Sequence, residues 1–225
     1  MMRVLVLRPE PGASATLQRA QKRGLDAIAV PLFDIECLAW KAPEASRFDG
    51  LLLTSANAVR CAGERLNDYR GLPVYAVGAA TAAEAREAGF DIASSGDAGV
   101  ERLLGSIDPE LRLLHLAGED RKDPTDAKQK IATVTVYRSN ARDDVDLQPA
   151  KGAVAMIHSS RAGERFSQLI DSAGIGRDGI AIAAISADAA RAAGNGWAVV
   201  EAADAPDECA LLALTERLCN KARAT

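Results

Sequence analysis

Small hydroxyl- and amide-bearing residues recur in this chain at places where a fold could use them to grip an anion. Thr54-Ser55-Ala56-Asn57, Gly78-Ala79-Ala80-Thr81 and His158-Ser159-Ser160 each follow a short apolar run and precede a helical pattern. In open α/β sheets such turns lie at the carboxyl ends of strands, where helix N-termini expose N–H groups to carboxylates or phosphates. Ser55, Asn57, Thr81, Ser159 and Ser160 can add side-chain donors there, although capping the helix is the commoner use of these residue types. Arg8-Pro9-Glu10 and Ala117-Gly118-Glu119 are further turns of this kind. The pair Arg121 and Lys122 reads either as solvated loop or as an anchor for anionic arms. Tyr137 closes the extended run Val134-Thr135-Val136. A phenol, neutral at pH 7, can give a proton to a departing hydroxyl; the alternative is an aromatic packed at a strand end.

Other chemistries lack their motifs. No GxGxxG follows the first strand, and neither GxxxxGK[ST] nor GxSxG occurs, which disfavours dinucleotide, P-loop and serine-hydrolase readings. His115 and His158 have no metal-ligand companions at suitable spacing, and His115 reads as a core histidine. Cys37, Cys61, Cys209 and Cys219 show no CxxC spacing and read as small apolar residues in a reducing cytoplasm. The net charge of -4 argues against a general nucleic-acid binder. No run reaches membrane-spanning length, and the chain enters a strand at once, without a secretory leader.

The elements that must hold these turns alternate between strand and helix, the pattern of parallel sheets with crossover helices. With aromatics at 4%, alanine-rich helices and Val/Ile/Leu strands must build the core. Strands are expected at 3–7, 27–30, 51–53, 74–77, 111–116, 154–157, 180–185 and 197–200, with a short one at Ile92. Helices are expected at 14–23, 56–66, 81–88, 100–106, 162–173, 188–193 and 208–220. Residues 31–35 and 133–138 read as extended, residues 140–151 as a polar surface loop. Between Gly118 and Ile131 little room remains, and Pro124 interrupts it, so the helix there is short or missing.

The chain also repeats itself. Residues 49–58 (DGLLLTSANA) return as 152–162 (GAVAMIHSSRA), 74–81 as 182–189, and 4–10 (VLVLRPE) as 113–119 (LLHLAGE). Such duplication reads as two similar α/β halves with a ligand held between them. By itself it leaves open whether the halves follow one another or interleave.

The ordered set VLVLRPEPG, VPLFDIE, FDGLLLTSANAV, PVYAVGAAT, LLHLAGEDR, VTVYRSN and AISADAARAAGNGWAVVEAADAPDECALLAL resembles the uroporphyrinogen-III synthase family over nearly the whole chain. The resemblance implies two similar parallel-sheet, flavodoxin-like α/β domains joined by a two-stranded extended linker. Residues 1–33 with 140–225 would form the first domain and 38–132 the second, with 34–37 and 133–139 as linker strands. It implies cyclisation of hydroxymethylbilane to uroporphyrinogen III, with loss of water and inversion of the terminal ring. The linear tetrapyrrole would be held in the cleft of a cytoplasmic, cofactor-free monomer that touches the hydroxymethylbilane-producing enzyme transiently. Tyr137 then matches the tyrosine proposed to assist hydroxyl departure. Arg8, Ser55, Ala56, Asn57, Gly78, Thr81, Ser159 and Ser160 match substrate-facing positions. Ser186-Ala187-Asp188 departs from the family's last turn, with Ser186 as substitute hydroxyl and Asp188 as an N-cap. A non-catalytic two-domain anion carrier or sensor is the competing reading; a nucleotide-sugar transferase is a weaker third.

Overall fold

Eleven strands and seven α-helices among the described residues place most of the repeated segments in two parallel sheets. The computed structural model describes residues 2–96, 99–121 and 123–221. In chain order the elements are β1 (Arg3–Val6), α1 (Gly12–Lys22), β2 (Asp26–Ala29), β3 (Phe33–Cys37), β4 (Gly50–Leu53), α2 (Ala56–Ala62), β5 (Val74–Val77) and α3 (Ala79–Glu87). There follow β6 (Ile92–Gly96), α4 (Val100–Gly105), β7 (Arg112–Gly118), β8 (Lys130–Ala141), β9 (Val154–Ile157), α5 (Ser160–Ser172), β10 (Ala181–Ala184), α6 (Ala187–Ala193), β11 (Val199–Ala202) and α7 (Glu208–Lys221). The chain divides into two compact units, Met1–Asp34 with Ala141–Thr225, and Ile35–Asn140. Both divisions fall within strands, the first inside β3 and the second at the end of β8.

The first unit carries a five-stranded sheet in the order β11-β10-β9-β1-β2. All four of its strand pairings are parallel. Every residue of β9 (VAMI) and β10 (AIAA) is buried, as expected for central strands covered on both faces. Alternation divides their side chains between two cores. Leu5, Ala155, Ile157, Ile182 and Ala184 pack with Phe166 and Ile170 of α5 and Ala189 and Ala193 of α6. Val4, Val6, Met156 and Ala183 pack with Ala13 and Ala20 of α1 and Leu211, Leu212, Leu214 and Leu218 of α7.

The second unit carries a six-stranded sheet, β3-β8-β7-β4-β5-β6. Its pairs from β8 to β6 are parallel. One face packs on α2 and α3 through Ala58, Val59, Ala62, Ala82 and Ala85. The other is covered by α4, and its apolar cluster of buried residues is small: Leu52, Leu103, Leu104 and Leu113 among those described.

Several expectations need correction. Cys37 and Cys61 form a disulfide with Cα atoms 4.9 Å apart, rather than two reduced apolar fillers. Folding brings the end of β3 against α2 over a separation of 24 residues, so cysteine usage gives no support to a reducing compartment. Of the other two, Cys219 is buried and Cys209 exposed. The segment 140–151 is not wholly a surface loop: Leu147 and Ala150 enter the first unit's core. Trp197 precedes the last strand instead of opening it. It stacks on Phe166 with ring centroids 5.5 Å apart, and its indole N–H donates to the Ala193 carbonyl at 2.9 Å. The helix expected over 56–66 stops at Ala62 and continues as a 3-10 helix from Gly63 to Tyr69, with Gly63 at φ +63°. Asp188 is not an N-cap. Ser186 holds that place, accepting from the Ala189 N–H at 3.2 Å, while Asp188 pairs with Arg191. In keeping with the expectation of a short or missing helix, no described residue between Glu119 and Gln129 is helical.

Candidate functional site

At the carboxyl end of the second unit's sheet, β4 runs into Thr54 and the N-cap Ser55. The Ser55 hydroxyl accepts from the Asn57 N–H at 3.2 Å. Ala56 is the first residue of α2, and the side-chain carbonyl oxygen of Asn57 accepts from Arg60 Nη1 at 3.1 Å. One strand over, Gly78 opens α3 at φ +87° without a side-chain cap. That backbone conformation is cheap for glycine alone. Thr81, expected to present its hydroxyl, lies in the first turn of α3 at 5% exposure and does not cap it. Capping therefore accounts for the contact seen at Ser55, not for Gly78 or Thr81.

On the other side of β4, β7 and β8 bring Gly118 opposite Tyr137 at a register shift. The Glu119 N–H donates to the Tyr137 carbonyl at 2.9 Å. A Cβ on Gly118 would lie 2.6 Å from Tyr137 Cζ, so only glycine there lets the phenol ring cross the end of β7. The ring is half-buried against the α2/α3 side of the core. Arg121 binds back over the same strand ends, through Asp123 at 2.8 Å, the Gly118 carbonyl at 3.4 Å and the Thr135 hydroxyl at 3.3 Å. Its expected companion Lys122 lies outside the described residues.

Under this end of the sheet sits His115, at 1% exposure. Its Nε2 lies 3.1 Å from the Thr54 hydroxyl. Burial, then the positive charge of Arg121, hold the imidazole down at about 4, so it is neutral at pH 7. The expected core histidine thus has one partner on Nε2 and none on Nδ1.

In the first unit, the corresponding strand ends carry Arg8 after β1, Ser159 after β9 and Ser186 after β10. Ser159 caps α5 by accepting from the Ala162 N–H at 3.2 Å, and Ser160 is the first residue of that helix. Arg8 is not a lone cation: its Nη1 lies 3.2 Å from Glu208 Oε2 and 3.5 Å from the Thr16 hydroxyl. His158, just ahead of Ser159, places Nε2 3.3 Å from the same Glu208 oxygen. Burial alone would raise the Glu208 carboxyl; the neighbouring His158, the Thr16 hydroxyl and the Arg8 charge overcome it and hold it at about 2. Sequence reasoning missed Glu208 and Thr16 because they lie 200 and 8 residues from Arg8. A carboxylate at the mouth of a helix was the one visible signal, and it reads equally as a favourable helix start.

The described residues include no group of three His, Cys, Asp or Glu side chains able to hold a metal ion. They also include no helix long and apolar enough to cross a membrane. A cavity of about 480 Å³ lined by Glu101, Arg102, Ile107, Pro109 and Gln129 opens where the chain enters β7, at the opposite end of the strand from these turns.

Two sheets that share a run of five parallel strands in the same order, each ending in hydroxyl-bearing turns, define a two-domain α/β protein whose polar groups gather at strand ends. The family model described as uroporphyrinogen-III synthase HemD matches residues 14–213, and the chain belongs to the uroporphyrinogen-III synthase family. A curated uroporphyrinogen-III synthase from Chlorobaculum parvum is 29% identical over 119 residues, covering 48% of this chain and 48% of that protein. The chain thus spans about half the length of this curated relative. Among solved structures, uroporphyrinogen-III synthetase from Helicobacter pylori superposes with a TM-score of 0.64 at 15% identity, covering 97% of this chain and 100% of that one. A mutant uroporphyrinogen III synthase from the extremely thermophilic bacterium Thermus thermophilus gives 0.56 at 18% identity, with 100% of both chains covered. At these identities the two structures speak for the fold.

Proposed function

We propose that the chain converts hydroxymethylbilane to uroporphyrinogen III, with the linear tetrapyrrole held by the strand-end turns of both units. The observation that carries this reading is the family match over residues 14–213. The placement of the polar turns supports it: Ser55, Ala56, Asn57 and Gly78 at one sheet's carboxyl end, Arg8, Ser159, Ser160 and Ser186 at the other's. Amides and hydroxyls at these helix starts suit acetate and propionate arms, and local donors let a chain of net charge -4 accept a polyanion.

The difficulty of the reaction is shape. Hydroxymethylbilane loses its hydroxyl readily and closes unaided to the uninverted type I isomer. Tyr137 gives its phenolic proton to the departing hydroxyl, which leaves as water, and the cationic azafulvene remains. The chain then holds the end rings so that attack at the substituted pyrrole carbon outruns direct closure. Placement and charge stabilisation account for such control without a nucleophile or a triad. Gly118 keeps the strand end open enough for the Tyr137 ring to lie there.

The test is to supply freshly generated hydroxymethylbilane and resolve the isomers of the oxidised product. The expected result is predominantly type III, rising with protein concentration. An unchanged spontaneous type I product would leave an anion carrier as the better reading. Tyr137→Phe is expected to lower kcat by about 100-fold, the low end of the span of acid–base contributions; wild-type turnover would assign the ring to packing.

A further inference from the structure

Four polar side chains from four places in the first unit meet beside the end of β1. Arg8 lies just past β1, and His158 just past β9, its hydrogen-bonded neighbour. Thr16 belongs to α1 and Glu208 opens α7. Glu208 Oε1 accepts from the Thr16 hydroxyl at 2.6 Å. Its Oε2 faces Arg8 Nη1 at 3.2 Å and His158 Nε2 at 3.3 Å. The imidazole nitrogen sits beside that oxygen but off the line of a hydrogen bond. The guanidinium is fixed from a further side. A Cβ at Gly12 would come 2.6 Å from Arg8 Nε, so glycine at the entry of α1 makes its berth.

The contrast with the equivalent place in the other unit points past a structural clamp. The repeat aligns Thr54 with His158, and there a neutral Thr54–His115 contact does the work. A sheet of this pattern therefore closes without charge at that position. Arg8 remains 32% exposed, within reach of a solute.

Building on the function proposed above, we propose that Glu208 is a positioning residue. It holds the Arg8 guanidinium in place at the carboxyl end of the sheet, beside the buried His158 imidazole, and the guanidinium receives one carboxylate arm of the substrate. Glu208 Oε1 is engaged by the Thr16 hydroxyl and Oε2 by the Arg8 guanidinium, so its charge orients Arg8 instead of repelling the incoming arm. Charge-assisted contacts from a fixed guanidinium are the strong ones for a carboxylate.

Steady-state kinetics of Glu208→Gln on hydroxymethylbilane test this. KM is expected to rise about tenfold with kcat within about twofold, the pattern of lost binding rather than lost chemistry. Glu208→Asp should recover most of the loss. The double variant Glu208→Gln with Arg8→Lys should cost little more than the worse single one, because the residues act as one unit. Glu201→Gln is the control. It loosens the Arg217 and Lys221 attachments of α7 without touching Arg8 or His158, so it should lower the melting temperature and leave KM unchanged. An unchanged KM in Glu208→Gln, or a rise that tracks the melting temperature equally in both variants, would overturn the proposal. Binding of uroporphyrin III, followed by tryptophan quenching, reads the same point without turnover. A Kd about tenfold weaker in Glu208→Gln is expected, and equal Kd values would overturn the positioning role whether or not the wild type makes type III product.

Discussion

The two units use one strand order and cover it differently. Read from β2, the first sheet runs β2-β1-β9-β10-β11; read from β8, the second runs β8-β7-β4-β5-β6. The repeated segments fall at matching positions: β1 with β7, β9 with β4, β10 with β5. After β1 the chain spends α1 on the outer face, which α7 completes. After β7 it spends residues 119–129, with no helix among those described, and α4 is left as that face's helical cover. A parallel sheet needs both faces covered, so the second unit buries fewer side chains on one side. It has other attachments instead. The Cys37–Cys61 disulfide and the Trp40 indole N–H, donating to the Ala62 carbonyl at 3.1 Å, tie the end of β3 and the segment after it to α2. The same strand order can thus be secured by apolar burial or by cross-links between neighbouring segments.

Truncating one leucine on each of these faces should separate the two units most clearly. Leu212→Ala, on the buried side of α7 in the fuller core, should cost about 4 kcal/mol, and Leu103→Ala on the sparse face about 2 kcal/mol, because sparse surroundings relax into the space. Urea unfolding of both variants measures the difference, and equal losses would remove the asymmetry. Next, breaking the disulfide with Cys61→Ser should cost about 3 kcal/mol, the loop entropy of closing 24 residues. Hydrogen exchange should show the loss concentrated in the second unit, and a loss shared evenly by both units would contradict its local role.

His115 sharpens the contrast by acid. Its folded value near 4 lies below the ordinary 6.5, so on acidification the unfolded chain takes up the proton first. Stability is unaffected above about pH 6.5, falls as the pH drops towards 4, and levels off below; the full loss approaches roughly 3 kcal/mol. His115→Gln should flatten that slope in urea midpoints measured at pH 7 and pH 5. An unaltered slope would place the proton elsewhere. The smallest effect is expected at Ser186→Ala, about 1 kcal/mol for a lost N-cap contact of α6, and thermal melting resolves it.

Much of this architecture was legible because local pattern and fold agree. Buried runs such as VAMI and LLL read as central strands, and the three repeats anticipated two like sheets. What the sequence hid were the meetings of distant residues. Cys37 and Cys61 have no motif spacing and become partners only once β3 lies along α2. Thr54 and His115 stand 61 residues apart, and Arg8 and Glu208 stand 200 apart. The hydroxyl turns were visible as a class, while the division of labour within them was not. Ser55, Ser159 and Ser186 accept backbone N–H bonds as caps, Thr81 is buried, and Gly78 presents only backbone. Asp188 looked like a cap because it stands near a helix start. The cap falls two residues earlier, where Ser186 has extended backbone at φ -154°.

The account turns on the strand-end turns of both sheets taking up the tetrapyrrole, and amide hydrogen exchange with and without uroporphyrin III tests that directly. Slowed exchange at residues 55–57 and 78–81 of the second unit, and at 159–162 and 186–189 of the first, is the predicted result. Protection confined to one unit, or lying around α4 and residues 126–129 instead, would contradict it.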